Sequence, residues 1–389
     1  MKNLHANLSR FYFIYYFFVG AFVPYWGLYL QSEKFSTADI GILMSLFQIS
    51  RIFAPNFWGW LADHTAKRVA WIKLTALLGL VGFVAVFWAH GFWALFFVMA
   101  SLSLFTSSTL PLSESLTLAH LATTNGHYSS IRMWGSLGFI VAAVILGFLI
   151  DAYGIKSLLW FLLAVQIILF ALTFRLPEAK IAPHAHDEFS IWQVVKQPNV
   201  IALLVGCALM VTAHGVLYNF YSIYLSAHGY SKSMIGLLWA VGVICEICIF
   251  MIMPKIMARY SLKAILLTSL ALAVLRFCMI GIAVDHLLLL IIAQSLHAAT
   301  FGSFHAASVE VITRFFNGRH QAKGQAIYNS VAYGIGGTIG GVAGGYALQY
   351  VGGQITFTLA AIFPLLGLLV IGLGLKLSND QQNTQGMFR

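Results

Sequence analysis

Apolar residues run in long stretches along almost the whole chain, broken by short polar segments. Twelve such stretches stand out, at about 11–30, 38–62, 70–89, 92–118, 129–150, 156–175, 200–225, 232–257, 263–284, 287–313, 323–349 and 353–375. A helix needs about 20 mostly apolar residues to cross a bilayer. Turn-forming residues separate most of the stretches, among them His90-Gly91, Asn125-Gly126, Asp151-Ala152-Tyr153-Gly154 and Asn317-Gly318. The stretches are too long and too continuously apolar for the alternating strands of a barrel. The pattern predicts an all-α membrane protein with twelve transmembrane helices.

Composition sharpens this. Of 389 residues, 60% are hydrophobic and 9% charged, against about 25% charged in a soluble domain. A soluble chain of this length could not cover its surface with so few charges. A cytosolic enzyme, a disordered chain and a nucleic-acid binder are therefore excluded. The net charge of +10 is spread over loops rather than gathered in a patch. With twelve spans both termini share one side. On that side the loops and tails hold sixteen Lys and Arg, while the opposite loops hold Lys34, Lys156 and Lys232. Basic loops face the cytoplasm, so both termini are expected there. No removable signal peptide is expected, since a short apolar core with a small-residue cleavage site is missing. The four cysteines, Cys207, Cys245, Cys248 and Cys278, lie in apolar stretches, and no disulfide framework is expected.

The chain repeats. Tyr29-Leu30, Phe35-Ser36, Ile40-Gly41 and Leu43 return as Tyr224-Leu225, Tyr230-Ser231, Ile235-Gly236 and Leu238, at a constant offset of 195. The longest polar connection predicts a six-helix bundle over 1–176, a cytoplasmic linker over 177–198 and a second six-helix bundle over 199–389. Six spans per half is even, so the halves share one topology, a parallel pseudo-twofold repeat. This plan resembles the major facilitator transporters, in which the substrate site is expected between the halves.

Between the second and third stretches, Gly59-Trp60-Leu61-Ala62-Asp63-His64-Thr65-Ala66-Lys67-Arg68 resembles the superfamily's loop motif G-x-L-a-D-r-x-G-r-[RK]. Gly59, Leu61, Asp63 and Arg68 match; Ala66 stands for the usual glycine and His64 for the usual arginine. The resemblance implies a gating role for Asp63 and Arg68, with Asp63 paired to a base when the cytoplasmic side is closed. The alternative is a solvated turn.

Ionisable residues inside a span are costly and face a cavity or a partner. Glu114 and Arg132 lie on the fourth and fifth stretches. Arg132-Met133-Trp134-Gly135-Ser136-Leu137-Gly138-Phe139 resembles the corresponding segment of the lactose permease group, which also carries the preceding glutamate. There the pair lies at the substrate site; otherwise it locks two helices. Glu246 on the eighth stretch sits at the repeat position of Arg51 on the second. With Arg276 and His297, Glu246 also resembles the proton-coupling set of that group. A second acid one turn after the histidine is replaced here by Thr300, leaving Glu246 as the coupling carboxylate or a fixed partner of Arg276 or Arg51. His214 and His305 are weaker candidates. Glu310 and Arg314 read as a local i,i+4 pair. Three arginines then face two carboxylates, Glu114 and Glu246, and the surplus suits an anionic substrate.

Aromatics crowd the first stretch, ending in Pro24-Tyr25-Trp26, and the seventh, around Tyr218-Asn219-Phe220-Tyr221. Tyr25, Trp26, Tyr218 and Asn219 are candidates to line a site for a ring; the other reading is interfacial aromatics. Gly336, Gly340 and Gly344 form a ridge for close helix packing. Cys245-x-x-Cys248 lacks two further ligands for a metal and reads as buried thiols.

Taken with Pro24-Tyr25-Trp26-Gly27-Leu28-Tyr29-Leu30 and Arg51-Ile52-Phe53-Ala54-Pro55, these motifs are similar to those of the bacterial phenylpropionate permease family. The resemblance implies a monomeric transporter without a cofactor. It would import a small aromatic carboxylate with a proton, by alternating access. Sugar or nucleoside symport and small-molecule efflux are the alternatives. No HExxH, GxSxG or metal-spaced His/Asp set points to an enzyme, and no filter-like segment points to a channel.

Overall fold

Apolar runs become helices where the pattern predicts them, because backbone polar groups inside a bilayer must be satisfied within the segment. The computed structural model describes residues 2–122, 127–179, 191–316 and 320–377. The middle of the predicted linker, 180–190, and the turns predicted at 125–126 and 317–318 lie outside these. The described elements are α1 (Lys2–Ser32), α2 (Thr37–Thr65), α3 (Arg68–Ala85), α4 (Phe92–Leu121), α5 (Tyr128–Tyr153), α6 (Ser157–Thr173), α7 (Pro198–Ala227), α8 (Lys232–Arg259), α9 (Leu262–Ile282) and α10 (Leu287–Phe315). The last long apolar stretch, Gln321–Gly374, turns at Gly352 (φ 78°) into α11 (321–351) and α12 (353–374). Twelve apolar helices result, as predicted, and every regular element among the described residues is helical.

The 195-residue repeat has a local physical content. After α1 the chain passes through Lys34 with φ 66°, and after α7 through Gly229 with φ 82°. At both ends the residue three places after the helix's last residue reaches back: the Phe35 amide donates to the Leu30 carbonyl and the Tyr230 amide to the Leu225 carbonyl, each at 3.2 Å. This is the left-handed closure that satisfies orphan carbonyls at a helix end. The serines then open the next helices. Ser36 Oγ accepts the Asp39 amide at 3.1 Å and Ser231 Oγ accepts the Met234 amide at 3.2 Å, both as N-caps.

The described residues cluster into two compact units, Met1–His184 with Tyr221–Ala240, and Ala185–Phe220 with Val241–Arg389. In the first, α1 lies along α5, α2 along α4, and α3 against α4 and α6. Glycine makes the α1–α5 approach possible: a methyl at Gly20 would strike the Phe139 carbonyl, and one at Gly138 the Phe13 carbonyl. In the second, α9 packs on α10 and α12. The Gly336–Gly340–Gly344 ridge meets α7, at the Ala208 carbonyl, the Thr212 carbonyl and the Val216 and Phe220 side chains respectively. That is the packing role read from its spacing.

Exposure separates the aromatics. Trp88, Trp93, Trp160 and Tyr350 near helix ends are exposed, whereas Tyr12, Tyr25, Trp26 and Tyr328 are fully buried. The first group fits interfacial belts. Cys207 is buried, but Cys248 is exposed on α8 and Cys245 only half-buried. The expectation of two buried thiols therefore fails for Cys248, whose place on the helix turns it outward.

The loop after α2 explains one departure from the motif. Ala66 closes α2 with φ 53° and ψ 29°, the left-handed conformation that suits the glycine usually found there. Non-glycine residues carry a cost of about 1 kcal/mol in that region. Ala66→Gly is expected to stabilise the folded protein by about that amount, read as a raised midpoint of thermal unfolding in detergent; an unchanged or lowered midpoint would refute the strain.

Candidate functional site

The first polar cluster is built by α1, α2, α4 and α5. Tyr12 and Tyr16, four apart, share one face of α1; Tyr128 and Arg132, also four apart, share one face of α5. Tyr128 donates its hydroxyl to Glu114 Oε1 at 2.9 Å. Tyr12 donates to Thr117 Oγ1 at 3.3 Å, and its ring meets that of Tyr128 edge-on at 6.3 Å. The Arg132 guanidinium lies over the Tyr16 ring at 4.0 Å, a favourable cation–π arrangement, and within electrostatic reach of Glu114. Arg51, Glu114 and Arg132 all lie within electrostatic range of Tyr15. Gly135 leaves room for this: a methyl there would lie 2.5 Å from Tyr16 Cδ2 and 3.0 Å from Arg132 Nη1. The spacing Arg132, Gly135, Gly138 is therefore one face of α5 turned to α1.

The second cluster is built by α7, α8, α9 and α10. Arg276 is 0% exposed. Its Nε donates to the Ala293 carbonyl at 2.8 Å, Nη2 to Gln294 Oε1 at 2.9 Å, and Nη1 to Thr300 Oγ1 at 3.1 Å. Nη1 also lies 3.3 Å from His214 Nε2. His214 Nδ1 sits 2.9 Å from the Met210 carbonyl. A carbonyl only accepts, so Nδ1 carries the proton and Nε2 presents a lone pair to Arg276. Thr300 supplies a neutral acceptor to the arginine.

His297 Nε2 lies 3.6 Å from Glu246 Oε2. Its Nδ1 is buried and has no hydrogen-bond partner among the described residues. Phe301 stacks on His297 at 5.1 Å and 6°, and Tyr218 borders the cluster, 5.9 Å from the His214 ring. A π-helical turn over Ala298–Ser303 interrupts α10 here. A second, over Asn329–Gly336, interrupts α11; such turns recur at functional positions. Between them His305 Nδ1 meets the hydroxyls of Tyr328 at 3.1 Å and Tyr333 at 3.0 Å.

Among the predicted site residues, Glu114, Arg132 and Arg51 gather in the first cluster, and Glu246, Arg276, His297 and Tyr218 in the second. Asn219 is buried beside Tyr218. Tyr25 and Trp26 belong to neither cluster. Trp26 is fully buried against Phe22, ring centroids 4.9 Å apart, and Tyr25 bonds elsewhere, as described below. Asp63 and Arg68 form an ion pair at 2.7 Å inside their own loop. Glu310 and Arg314 do the same at 2.7 Å, the local pairing their spacing predicts.

Residues 5–359 match the MFS_1 like family. The chain belongs to that family. It is 30% identical over 357 residues to the probable 3-phenylpropionic acid transporter of Escherichia coli, covering 90% of this chain and 93% of that one. It is 27% identical to the maltose permease of Geobacillus stearothermophilus, covering 93% and 92%. Among solved structures, a mutant of the nucleoside transporter NupG superposes with a TM-score of 0.86 at 18% identity, covering 96% of this chain and all of that one. A bacterial homologue of the lysosomal transporter Spinster superposes at 0.69 and 14% identity, covering 95% and 96%. The protein is a multi-pass membrane protein and a secondary transporter of the major facilitator type.

Within the first unit, α5 also meets the start of α8. Asp151, read from the sequence only as part of a turn, accepts the Lys232 amide at 2.9 Å and the Ser233 amide at 2.8 Å, the first amides of α8. Tyr25 donates to the Ala143 carbonyl at 2.6 Å, with the Lys232 carbonyl 3.1 Å away. Gly236 packs on the Ala143 carbonyl, and a methyl at Gly147 would lie 2.5 Å from the Lys232 carbonyl. At one end α5 and α8 thus meet backbone to backbone, with the Tyr25 hydroxyl of α1 set between their carbonyls.

Proposed function

We propose that this transporter is a proton-coupled symporter of a small aromatic carboxylate in a bacterial inner membrane, with both termini cytoplasmic. It works by alternating access, with 1–176 and 199–389 as its two bundles. The observation that carries this reading is the contact of Glu246 with His297 beside the buried Arg276. A carboxylate and an imidazole at 3.6 Å can share and exchange a proton, and a nearby guanidinium ties the exchange to charge.

The substrate reading rests on the first cluster. Arg132 on its tyrosine platform supplies a planar fork for a carboxylate, and the half-buried Tyr15 and Tyr16 supply ring faces. Inside the spans Arg51, Arg132 and Arg276 outnumber Glu114 and Glu246, and an anionic substrate brings the missing negative charge. The 30%-identical relative named for 3-phenylpropionic acid supports the same class. The maltose permease likeness favours a second reading, in which the Glu114 and Arg132 cluster holds hydroxyls. Counterflow in proteoliposomes separates them: labelled phenylpropionate should exchange against unlabelled phenylpropionate or cinnamate. Exchange with maltose or a nucleoside alone would establish the second reading.

The α5–α8 seam serves as a closure that must part for access from its side. Removing the Asp151 carboxylate should weaken it by ~1 kcal/mol, or about fivefold, because bonds to a charged acceptor are discounted by solvent at this exposed position. With the four native cysteines replaced by serine, an Ala143→Cys reporter is expected to alkylate about fivefold faster when Asp151→Ala is added. An unchanged rate would show that the glycine contacts alone hold the seam.

A further inference from the structure

A groove of about 530 Å³ runs along the outer face of the second unit between α7 and α12. Its walls are wholly apolar, with Pro198, Ile201 and Val205 on one side and Leu369, Leu373 and Gly374 on the other. Leu373 is 80% exposed. The furrow exists because the helices approach at small residues: a methyl on Gly374 would lie 2.8 Å from Ala202 Cβ, and one on Gly206 would lie 2.5 Å from Ile371 Cγ1. Larger side chains flank that line and leave a furrow between the two helices.

Three lysines stand at one end of this channel. Lys263 Nζ donates to the Gly372 carbonyl at 2.8 Å, which places its ammonium one residue from Leu373. Lys376 follows Gly374 by two residues, and its amide donates to Asn199 Oδ1 at 2.9 Å. That bond ties the end of α12 to the start of α7, where Lys196 precedes Pro198 by two residues. Lys196 and Lys376 are both exposed. The described stretches 191–210, 255–270 and 362–377 contain no Asp or Glu. An exposed Trp192 one turn earlier marks the interfacial level.

We propose that this groove binds one anionic phospholipid of the adjoining leaflet, its acyl chain along the furrow and its phosphate among Lys196, Lys263 and Lys376. An apolar slot capped by ammonium groups, with no carboxylate in the described stretches that form it, matches that molecule at both ends. A zwitterionic lipid brings its own cation to the same rim and is disfavoured. Each basic residue near an anionic lipid surface contributes about fivefold in binding, hence about a hundredfold for three.

The test uses the full-length protein in detergent with phosphatidylglycerol and phosphatidylcholine of identical chains, counting retained lipids by native mass spectrometry. The wild type should retain phosphatidylglycerol tens-fold better. The triple variant Lys196→Gln, Lys263→Gln, Lys376→Gln should lose that preference, with an unchanged thermal midpoint in lipid-free detergent showing that it is folded. Leu373→Trp, which fills the furrow and leaves the charges, should reduce retention of both lipids. Equal retention by the wild type, a preference that survives the triple variant, or a groove occupied by a second copy of the chain in cross-linking would each overturn the assignment.

Discussion

Glu246→Gln is expected to abolish accumulation of substrate against its gradient while leaving exchange intact. The amide keeps the size and hydrogen-bonding reach of the side chain but cannot take up and release a proton. With an imposed inward proton gradient, the steady internal-to-external substrate ratio should fall to about one. Counterflow needs no net proton movement and should continue near the wild-type rate. His297→Gln tests the same 3.6 Å contact from the other side and should give the same split. Loss of both accumulation and exchange would count against Glu246 as the coupling acid and would make it a structural partner of His297.

The second large effect concerns Arg132. If its guanidinium holds the substrate carboxylate, Arg132→Gln should weaken binding of phenylpropionate about ten- to a hundredfold, since a hydrogen-bonded charge pair contributes roughly 1.5–3 kcal/mol. The sharper readout is selectivity. The wild type should prefer the acid over its uncharged amide, and the variant should lose that preference. Arg132→Lys keeps the charge over the Tyr16 ring but not the fork, and should recover part of the affinity. Glu114→Gln should alter binding by a different route, because it leaves Tyr128 bonded to an amide oxygen and frees Arg132 from a neighbouring negative charge. If Arg132→Gln weakens the acid and the amide equally, the arginine supports the cluster without touching the carboxylate.

Much of the fold follows from one-dimensional information. Span length, the 195-residue offset and the Gly336–Gly340–Gly344 spacing each depend on residues close in sequence or on a strict period. The offset even encodes a helix closure, since Lys34 and Gly229 take the same left-handed conformation and Ser36 and Ser231 the same capping position. Likewise, the Glu310–Arg314 pair is local, and so is the Asp63–Arg68 pair. The partners that shape the clusters are less visible. Tyr128 could have been found from its four-residue spacing to Arg132, and Tyr16 from its spacing to Tyr12. His305 meets Tyr328 and Tyr333 only because α10 and α11 pack together. Asp151 looked like a turn residue because its role depends on amides 81 and 82 positions away. Glu178, which accepts the Val69 amide at the start of α3 at 3.0 Å, is hidden for the same reason. From the sequence Tyr25 reads as a wall for a substrate ring, because aromatic composition does not distinguish a cavity wall from a helix seam.

Proton movement in proteoliposomes tests the central claim most directly. Purified protein would be reconstituted with a luminal pH indicator and exposed to phenylpropionate, cinnamate, maltose or a nucleoside. Protein-free vesicles and Glu246→Gln vesicles would set the level of passive weak-acid entry. Symport predicts a saturable luminal acidification with the aromatic acids alone, above both controls. Saturable uptake of an aromatic acid with acidification no greater than in the Glu246→Gln vesicles would contradict proton coupling, and acidification with maltose or the nucleoside alone would contradict the substrate class.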